Sequence, residues 1–542
     1  MKGINSKGHV ILVLAIFSFL LSMCTKIQNV IEPDKKESFD YRKSVFYEIF
    51  VQSFADSNGD GIGDIPGMTS KLDYLVDLGI DVIWLMPMSP SPSYHKYDVT
   101  DYKGIHPDYG TMDDFKTFIS EAHNRNIKVV MDFVVNHSSA QHPWFLDAIE
   151  GKDAKYRDYY VWADKDSIAD QLAKKETSFD SDNIRQWHPV NEDETKEHYY
   201  GFFYGGMPDL NYDNLVLRKE IYEIGKYWLR EVGLDGFRLD AAKHIFPDDR
   251  AKDSHAFWVE FKSEMQKINP NVYLIGEVWS DAEMASPYAA GFTSLFNFDR
   301  AFSVLESINK QKVITAQISG HGYKIDSNLS IPEVINTTLP YFSKHNPNFI
   351  EASFLSNHDQ NRVASVLEND LDKNKLAASI LFTLPGTPYI YYGEEIGMLG
   401  MKPDENIREP MIWNEDDNDN LRATWMKPEY STAQTINSVQ KQSTDDESLL
   451  NHYKALVKLK KSNVLSLGDI KNVDFDNQKL LAFTRNYQNE SFLIIHNLSE
   501  NDTKIDLNDS YQTENLIWKN GDYSLANDSI KIGPRSSLVF KN

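Results

Sequence analysis

The chain of 542 residues has very little cysteine: Cys24 is the only one, so no intrachain disulfide bond can form. Packing, hydrogen bonds and any bound metal must therefore stabilise the folded state. Basic residues are also scarce, because 56 Lys and Arg stand against 80 Asp and Glu and give a formal net charge of −24. A surface of that charge repels nucleic acid and anionic membranes, and we expect neither as a direct partner.

Long apolar runs are absent after the first two dozen residues, so no later segment approaches the ~20 residues of a membrane span. The one early run, 10–23, follows two lysines and ends at Cys24. This pattern is typical of an export signal, which we place at 1–23. Cys24 resembles the lipid-acceptor cysteine of bacterial lipoproteins, although Met23 departs from the small residue that usually precedes it. We expect lipidation at Cys24 and a polar tether over 24–43.

The predicted lipid decides where the protein would work. An acylated Cys24 would hold it at the outer membrane or cell surface of a bacterium, or on a periplasmic face, with the lipid as its only membrane contact. An uncleaved anchor and ordinary secretion are the alternatives. We expect the mature protein to be a monomer.

From residue 44 onward, strand-like and helix-like patterns alternate along the chain. The predicted strands are 45–50, 81–85, 127–133, 234–239, 272–275, 294–298, 352–355 and 388–392. Amphipathic helical segments separate most of them, at 70–78, 112–124, 219–231 and 256–267. Repeated β–α units of this number predict an α/β fold, a closed (β/α)₈ TIM barrel. A doubly wound open sheet is the alternative, but no Gly-rich phosphate loop follows an early strand.

Two stretches do not fit the β–α alternation. Residues 138–206, rich in Asp, Lys, Tyr and Trp, are far longer than a usual connection and predict an inserted subdomain after the third strand. Residues 461–542 carry short alternating runs separated by Asn- and Asp-rich turns, which predicts a C-terminal antiparallel β-sandwich. The barrel would then comprise 44–137 and 207–460.

Four short apolar runs of the predicted barrel each end in carboxylates, imidazoles or a guanidinium. They are DFVVNH at 132–137, GFRLD at 236–240, GEVW at 276–279 and SNHD at 356–359. The C-terminal ends of parallel barrel strands all point into one pocket. The four runs therefore predict one site that contains several carboxylates, two His and an Arg.

The order and the amino-acid sequences of these runs resemble those of the alpha-amylase family of glycoside hydrolases, and the resemblance extends from about residue 44 to 413. A fifth family segment is present as MPDLN at 207–211. Within the family, the resemblance is to members near the neopullulanase and oligo-1,6-glucosidase branches. The resemblance implies three catalytic residues: Asp240 as nucleophile, Glu277 as general acid, and Asp359 as the carboxylate that stabilises the transition state.

The residues themselves fit that chemistry. Breaking a glycosidic bond through an oxocarbenium-like state needs one protonated and one ionised carboxyl group. Arg238 lies two positions before Asp240 on one strand, so both share a face and the guanidinium favours the ionised carboxylate. Glu277 is followed by Val278 and Trp279, an apolar setting that raises a carboxyl pKa.

The same resemblance implies a set of substrate-binding residues: His95, Tyr97, His137, Arg238, Lys243, His244, His358 and Arg408. Tyr97 would stack on the sugar at the cleavage point, and the imidazoles of His137 and His358 would donate hydrogen bonds to hydroxyls. For these imidazoles the neutral form suffices. Zinc binding by the histidines is a poor alternative, because no cysteine or closely spaced His pair accompanies them.

A loop just after the first strand, 56–64, places oxygen donors at alternate positions between glycines. The predicted ligands are the side chains of Asp56, Asn58, Asp60 and Asp64 and the carbonyl of Ile62. Several oxygen ligands around a tight curl suit Ca²⁺, although no Glu follows at the position an EF-hand requires. A solvated Asp/Gly turn is the alternative. A second family calcium site, at Asn136 and the His244 carbonyl, is not predicted because its remaining ligands cannot be identified.

We therefore expect a retaining, endo-acting hydrolase of α-1,4 bonds in starch-like glucans and maltooligosaccharides, with an α-glucan as its partner. An exo-acting α-glucosidase or a cyclomaltodextrinase- or neopullulanase-type hydrolase is the alternative. Met207 favours the alternative group, and Ala241-Ala242-Lys243-His244 favours alpha-amylase. A glycan-binding relative that lost the chemistry is disfavoured, since all three carboxylates are present.

Overall fold

The computed structural model describes residues 39–173, 185–193, 195–319, 322–326, 328–415, 419–506, 515–526 and 529–541. The predicted signal peptide, Cys24 and most of the tether lie outside the described residues. The chain divides into two units, 1–41 and 42–542, and every element below belongs to the second.

Eight parallel strands close into a barrel, as predicted. They are β1 Phe46–Ile49, β2 Val82–Leu85, β3 Lys128–Phe133, β4 Gly236–Leu239, β5 Tyr273–Gly276, β6 Ser294–Phe296, β7 Ile350–Ser353 and β8 Thr387–Tyr391. Each strand pairs with its neighbours in sequence, and β1 closes the ring by pairing with both β2 and β8. Each predicted strand overlaps the observed one, because most barrel strands are short, buried and largely apolar.

Aromatic rings fill the inside of the barrel below its C-terminal end. Phe46 stacks on Tyr389 with ring centroids 4.3 Å apart, and Trp84 packs against Phe296 at 5.2 Å. These side chains are buried. Packed side chains therefore fill the barrel interior beneath the site, as is usual for barrels of this kind.

Helices surround the barrel and fill the connections. The α-helices are Val51–Phe54, Ile65–Ser70, Leu72–Leu78, Met112–Asn124, Pro143–Ala148, Ala169–Ala173, Leu215–Tyr227, Ala251–Gln266, Ala282–Ala285, Phe298–Asn309, Ile331–His345, Val363–Val366, Leu371–Thr383, Asp404–Ile407, Val439–Ser443, Leu449–Lys460 and Asn463–Leu467. Within the described ranges, none of the helices has the length and apolar content that a membrane crossing requires.

Local signals explain where two of these helices begin. Met112–Asn124 matches its prediction, because Thr111 and Asp114 form a capping box at its start. The predicted helix 219–231 begins earlier, at Leu215, where the Asn214 side chain caps two backbone N–H groups. Its predicted end is a π-helical turn, Trp228–Val232.

The long connection after β3 carries its own small sheet. Three antiparallel strands, Trp162–Ala163, His198–Tyr200 and Trp187–Pro189, lie in that order. The isolated bridge His137–Asp209 joins the far end of the connection to the residues just after β3, and the bridge Tyr160–Leu210 ties two parts of the connection together. This segment therefore lies at the C-terminal side of the barrel, next to the polar residues that follow β3.

A second addition to the barrel was not predicted from the sequence. Between β6 and β7 the strands Thr315–Ser319 and Gly322–Asp326 pair antiparallel. Tyr323 of this pair stacks on Phe302 of the helix that follows β6, with centroids 4.1 Å apart.

The C-terminal residues form the predicted antiparallel β-structure, as two sheets. The larger has the order Asp469–Asn472, Leu480–Tyr487, Glu490–Asn497, Ser537–Lys541, Leu516–Asn520; the smaller has the order Thr503–Asp506, Ser529–Ile532, Tyr523–Ala526. Their facing side chains, Leu493, Ile495, Ile530 and Leu538 among them, form one apolar core. Arg485 attaches these sheets to the barrel helices: its guanidinium donates to the carbonyls of Thr383 at 2.7 Å and Leu465 at 2.8 Å.

Candidate active site

Arg238 lies at the centre of a group of carboxylates at the C-terminal end of the barrel. Its Nη1 lies 2.6 Å from Oδ1 of Asp240 and 3.2 Å from Oδ1 of Asp132. Its Nη2 lies 2.9 Å from Oε2 of Glu277. One guanidinium thus joins side chains from β3, β4 and the end of β5, and its side chain is only 1% exposed. The predicted nucleophile and general acid are therefore held side by side.

Burial controls the protonation of these two carboxyl groups. It raises the pKa of Glu277; Arg238 opposes this effect, whereas the charges of Asp240 and Asp359 add to it. Burial also raises the pKa of Asp240, and Arg238 is the main group that lowers it. Arg238 thus favours the ionised form of Asp240, as expected from the sequence, while desolvation acts in the opposite direction.

Asp359 is held by cations on two sides. Its Oδ2 lies 3.0 Å from Nε2 of His358, and its Oδ1 lies 3.1 Å from Nη2 of Arg408. Burial alone would raise the pKa of Asp359, but His358 and Arg408 outweigh it and keep that pKa well below its usual range. Asp359 is therefore ionised, as stabilisation of a positive transition state requires.

His358 is charged rather than neutral. Its Nδ1 lies 2.5 Å from Oε1 of Glu48 on β1, opposite the contact with Asp359. Burial lowers the pKa of His358, but Asp359 and Glu48 outweigh that effect and raise it to about 10. The expectation that neutral imidazole suffices does not describe this residue, because a carboxylate faces each ring nitrogen.

Tyr97 connects these groups from the opposite wall. Its hydroxyl lies 2.8 Å from Oδ2 of Asp132 and 2.6 Å from Nε2 of His358. Its ring stacks on the His358 ring, with centroids 5.6 Å apart and planes at 16°. Burial raises the pKa of Asp132 to about 7, against the influence of Arg238. Tyr97 is thus fixed by hydrogen bonds before any ligand arrives.

The side chains surround a cavity of about 450 Å³. Its lining is His95, Tyr97, His137, Phe203, Tyr204, Met207, Asp240, Ala241, Lys243, His244, Glu277, Trp279, Asp359, Lys402, Asp404 and Arg408. Nine of the predicted catalytic and binding residues are in this lining. The other two, Arg238 and His358, lie behind the wall and touch the lining carboxylates. A cavity of this size, in which aromatic and charged side chains converge, is typical of a small-molecule site.

The residue after the predicted nucleophile has a strained backbone. Ala241 has φ 47° and ψ 38°, in the left-handed region that a residue with a Cβ rarely adopts. Its N–H donates to Oε2 of Glu277 at 3.1 Å. Strain of this kind persists where the surroundings enforce it, and functional sites are a common place. The turn brings the chain after β4 into contact with Glu277 at the end of β5.

An aromatic turn from the inserted segment covers the predicted binding histidines. Phe202 stacks on the His244 ring with centroids 4.0 Å apart, and Phe203 meets His137 edge-on at 5.4 Å. The next residue, Tyr204, is 48% exposed and faces the cavity. Burial lowers the pKa of His137 to about 4, so this imidazole is neutral, as expected. Its buried Nε2 has no hydrogen-bond partner within the described structure.

The predicted calcium loop is ordered by its own side chains. Asp56 Oδ1 accepts the N–H of Gly59 at 2.7 Å, and Asn58 and Asp60 accept N–H groups two residues on at 2.8 Å. Across the described residues, no three His, Cys, Asp or Glu side chains converge as a metal site. Asp56 and Asp64 are buried, at 3% exposure each, and within the described structure neither pairs with a Lys, Arg or His. All-oxygen donors and unpaired buried carboxylates fit a hard cation such as Ca²⁺.

The sequence did not single out several residues of the site. Glu48 contacts His358, Asp132 contacts Arg238, and Asp404 lies 3.0 Å from Arg408. One signal was available: a glutamate in the middle of the apolar run 45–50 needs a buried partner. Nothing local identifies that partner as His358, which is 310 residues away.

Comparisons with known proteins agree with this geometry. The family described as the alpha amylase catalytic domain matches residues 48–468, and the C-terminal domain of alpha-amylase SusG matches 480–539. The chain is 39% identical over 528 residues to Alpha-amylase 3 of Dictyoglomus thermophilum, covering 97% of both chains. It is 35% identical over 461 residues to the 4-alpha-glucanotransferase of Thermotoga neapolitana, covering 84% of this chain and 95% of the relative. The crystal structure of an alpha-amylase from H. orenii has a TM-score of 0.81 and 38% identity, with 93% and 100% coverage. This chain therefore belongs to the alpha-amylase family of glycoside hydrolases.

Proposed function

We propose that this enzyme hydrolyses α-1,4-glucosidic bonds inside starch-like glucans and maltooligosaccharides, with retention of configuration. One observation carries the proposal: the Arg238 guanidinium bridges Asp240 and Glu277, while Asp359 lines the same cavity. Retaining glycosidases need two carboxyl groups only about 5–5.5 Å apart, and a shared guanidinium favours such a short separation.

In this mechanism Glu277 donates its proton to the glycosidic oxygen as that bond breaks. Asp240 attacks the anomeric carbon and forms a glycosyl-enzyme ester. Glu277, now a carboxylate, takes a proton from a water that attacks the same carbon and releases Asp240. Asp359 faces the positive charge that develops on the ring. Burial raises the pKa of Glu277, which favours the protonated acid that the first step needs.

The alternative within hydrolysis is an exo-acting α-glucosidase or a cyclomaltodextrinase- or neopullulanase-type enzyme. A second candidate function is transfer of glucan to another sugar, because a 35% identical relative is a 4-alpha-glucanotransferase. In that reaction a sugar hydroxyl replaces water in the attack on the glycosyl-enzyme. The same carboxylates would serve all these reactions.

A product time course on soluble starch, pullulan and a short maltooligosaccharide tests the proposal. Endo-hydrolysis predicts a mixture of maltooligosaccharides from starch at early times, each appearing first as the α-anomer by NMR. Glucose as the sole early product would identify exo-cleavage, and products longer than the supplied maltooligosaccharide would identify transfer. The β-anomer appearing first would exclude retention.

We also propose that Asp56, Asn58, Asp60, Asp64 and the Ile62 carbonyl bind a structural Ca²⁺. The buried carboxylates of Asp56 and Asp64 support this proposal, because burying two charges without a counter-ion is costly. When bound, the ion supplies charge compensation and cross-links the loop. It takes no part in the chemical steps.

We further propose that the enzyme is exported and anchored at a bacterial membrane surface through lipid on Cys24. The sequence of residues 1–24 supports this proposal, with a short apolar run that ends at the only cysteine. Surface attachment would place the enzyme next to polymers too large to import, which fits endo-cleavage. We expect a monomer without nucleic acid partners.

A further inference from the structure

Arg408 is fixed at four points beside the predicted transition-state carboxylate. Its Nη2 lies 3.1 Å from Asp359 and 3.0 Å from Asp404, its Nε donates to the His358 carbonyl at 3.0 Å, and its Nη1 donates to the Tyr94 hydroxyl at 3.2 Å. The side chain is 3% exposed, whereas that of Asp359 is 33% exposed. The position of Asp359 therefore depends strongly on the orientation of this guanidinium.

Trp425 lies behind this group, on a loop that carries none of the carboxylates of the site. Its indole stacks on the Tyr94 ring, with centroids 5.4 Å apart and planes at 21°. Phe50 meets both rings edge-on, at 6.3 Å and 6.2 Å. Trp425 and Phe50 together restrict the movement of Tyr94, whose hydroxyl accepts from Arg408.

A second, polar path leads from the same indole to the backbone of Arg408. The Nε1 of Trp425 donates to Oγ of Ser53 at 2.8 Å. That hydroxyl donates to the Arg408 carbonyl at 2.5 Å. The indole thus reaches both ends of Arg408, the guanidinium through Tyr94 and the main chain through Ser53.

We propose that Trp425 is a positioning residue that holds the Arg408 guanidinium against Asp359 through Tyr94 and Ser53. Trp425 is not among the residues that line the cavity. A stacked aromatic pair has a preferred geometry, and losing one ring allows the other to move. A displacement of about 1 Å at a catalytic group can reduce the rate by about 10²-fold.

The loop of Trp425 is itself anchored to the proposed calcium loop. The N–H of Thr424 donates to the Gly61 carbonyl at 2.7 Å, and the N–H of Asp56 donates to the Leu421 carbonyl at 2.9 Å. A Cβ at Gly61 would lie 2.7 Å from Oγ1 of Thr424, so the two loops touch closely. These contacts fix the loop that carries Trp425.

The test compares Trp425→Ala with Trp425→Phe on maltoheptaose. We expect Trp425→Ala to lower kcat about 10- to 100-fold, with KM changed by less than about threefold, since the loss acts on the transition state. Trp425→Phe keeps a ring against Tyr94 and should stay within about threefold of the wild-type kcat. If Trp425→Ala does not fold, Trp425→Leu keeps apolar volume without ring or indole nitrogen, and the same result is expected.

A double-mutant cycle with Tyr94→Ala separates positioning from simple packing. If Trp425 acts through Tyr94, Trp425→Ala should lower kcat much less in the Tyr94→Ala background than in the wild type. Trp518→Ala is the matched control, because Trp518 is half-buried in the C-terminal sheets and packs on His452 at 5.6 Å. It should lower the melting temperature while leaving kcat unchanged.

Two results would overturn the inference: full additivity in kcat between Trp425→Ala and Tyr94→Ala, or a kcat for Trp425→Ala no lower than for Trp518→Ala. The inference rests on the proposed role of Asp359. If Asp359→Asn kept wild-type turnover, that role would fail as a whole. If Asp359→Asn is inactive and Trp425→Ala behaves like the control, only the positioning inference fails.

Discussion

The Nη1 atom of Arg238 lies 2.6 Å from Oδ1 of Asp240, and a single residue of β4 separates the two. The pleat of the strand places both on the inner face of the barrel. Because the other guanidinium nitrogen contacts Glu277, a change in the position of Arg238 moves both carboxylates together. The chemistry therefore depends on one buried cation as much as on the carboxylates.

The roles of Asp240 and Glu277 can be separated by the choice of leaving group. Glu277→Gln should slow starch hydrolysis by about 10²–10⁴-fold, the usual contribution of a general acid. Cleavage of a maltosyl fluoride should be slowed much less, because fluoride leaves without a proton. Asp240→Asn removes the nucleophile and should slow both reactions about 10⁴-fold or more. Initial rates on starch and on maltosyl fluoride test these roles. An equal loss of rate on both substrates for Glu277→Gln would contradict the role of Glu277 as general acid.

The charge of His358 should appear in the pH dependence of stability. Its folded pKa of about 10 lies above the unfolded value near 6.5. The resulting stability is complete below about pH 6.5 and is lost as pH rises through about 10. Glu48→Gln removes one of the two carboxylates that raise this pKa, so the alkaline fall in melting temperature should begin about one to three pH units lower.

The control for this experiment is His452→Asn. Burial lowers the pKa of His452 to about 4, so its imidazole is neutral across the alkaline range. His452→Asn should therefore change the melting temperature without changing the shape of its alkaline profile. Superimposable alkaline profiles for wild type and Glu48→Gln would show that Glu48 does not set the charge of His358.

Calcium should stabilise the fold if it binds the loop 56–64. A ligand that binds the native state alone stabilises it by RT ln(1 + L/Kd), where L is the concentration of free ligand, so the melting temperature rises with that concentration. Asp60→Ala should lower the melting temperature and remove its dependence on added calcium or chelator. Asp474→Ala is the matched control, because Asp474 makes the same kind of turn hydrogen bond, to the N–H of Asp476 at 2.7 Å, in the C-terminal domain. A wild-type melting temperature that is the same with and without chelator would refute the calcium site.

Lipidation at Cys24 predicts where the protein is found after cell fractionation. The wild type should sediment with membranes and carry acyl chains by mass spectrometry. Cys24→Ser should abolish the acyl mass and, where the protein is still exported, leave kcat and KM on starch unchanged. A wild-type protein recovered only in the soluble fraction without acyl chains would exclude the anchor.

The barrel strands could be predicted because each is a short buried run that ends in polar residues. The predicted segment 127–133 differs from the observed β3, Lys128–Phe133, by one residue. The pair Thr315–Ser319 and Gly322–Asp326 could not be predicted, because its strands are polar on much of their surface. They are ordered by tertiary packing, such as the stack of Tyr323 on Phe302.

The active site, too, could be predicted from the sequence only in part. The side chains of Asp240, Glu277 and Asp359 were predictable, since each ends a recognisable run. Arg238, the partner of Asp240, was predictable as well. The contacts of Arg238 with Glu277 and of Glu48 with His358 were not, because they depend on how the barrel closes. Glu48 reaches His358 only because β1 and β8 pair and complete the ring. The charge of His358 is therefore set jointly by Asp359, its neighbour in sequence, and by Glu48 on a distant strand.

The contact of Arg485 with the barrel has a consequence for how this protein can be divided. Leu371–Thr383 is a barrel helix, yet the cation at its C-terminal end comes from a strand of the C-terminal sheets. Removing residues 469–541 would take the Arg485 donor away from the carbonyls of Thr383 and Leu465 and expose the barrel surface that the C-terminal sheets cover. We therefore expect that the barrel cannot be truncated before residue 469, or fused there to another protein, without loss of stability. A replacement C-terminal domain would have to present a guanidinium at the same place.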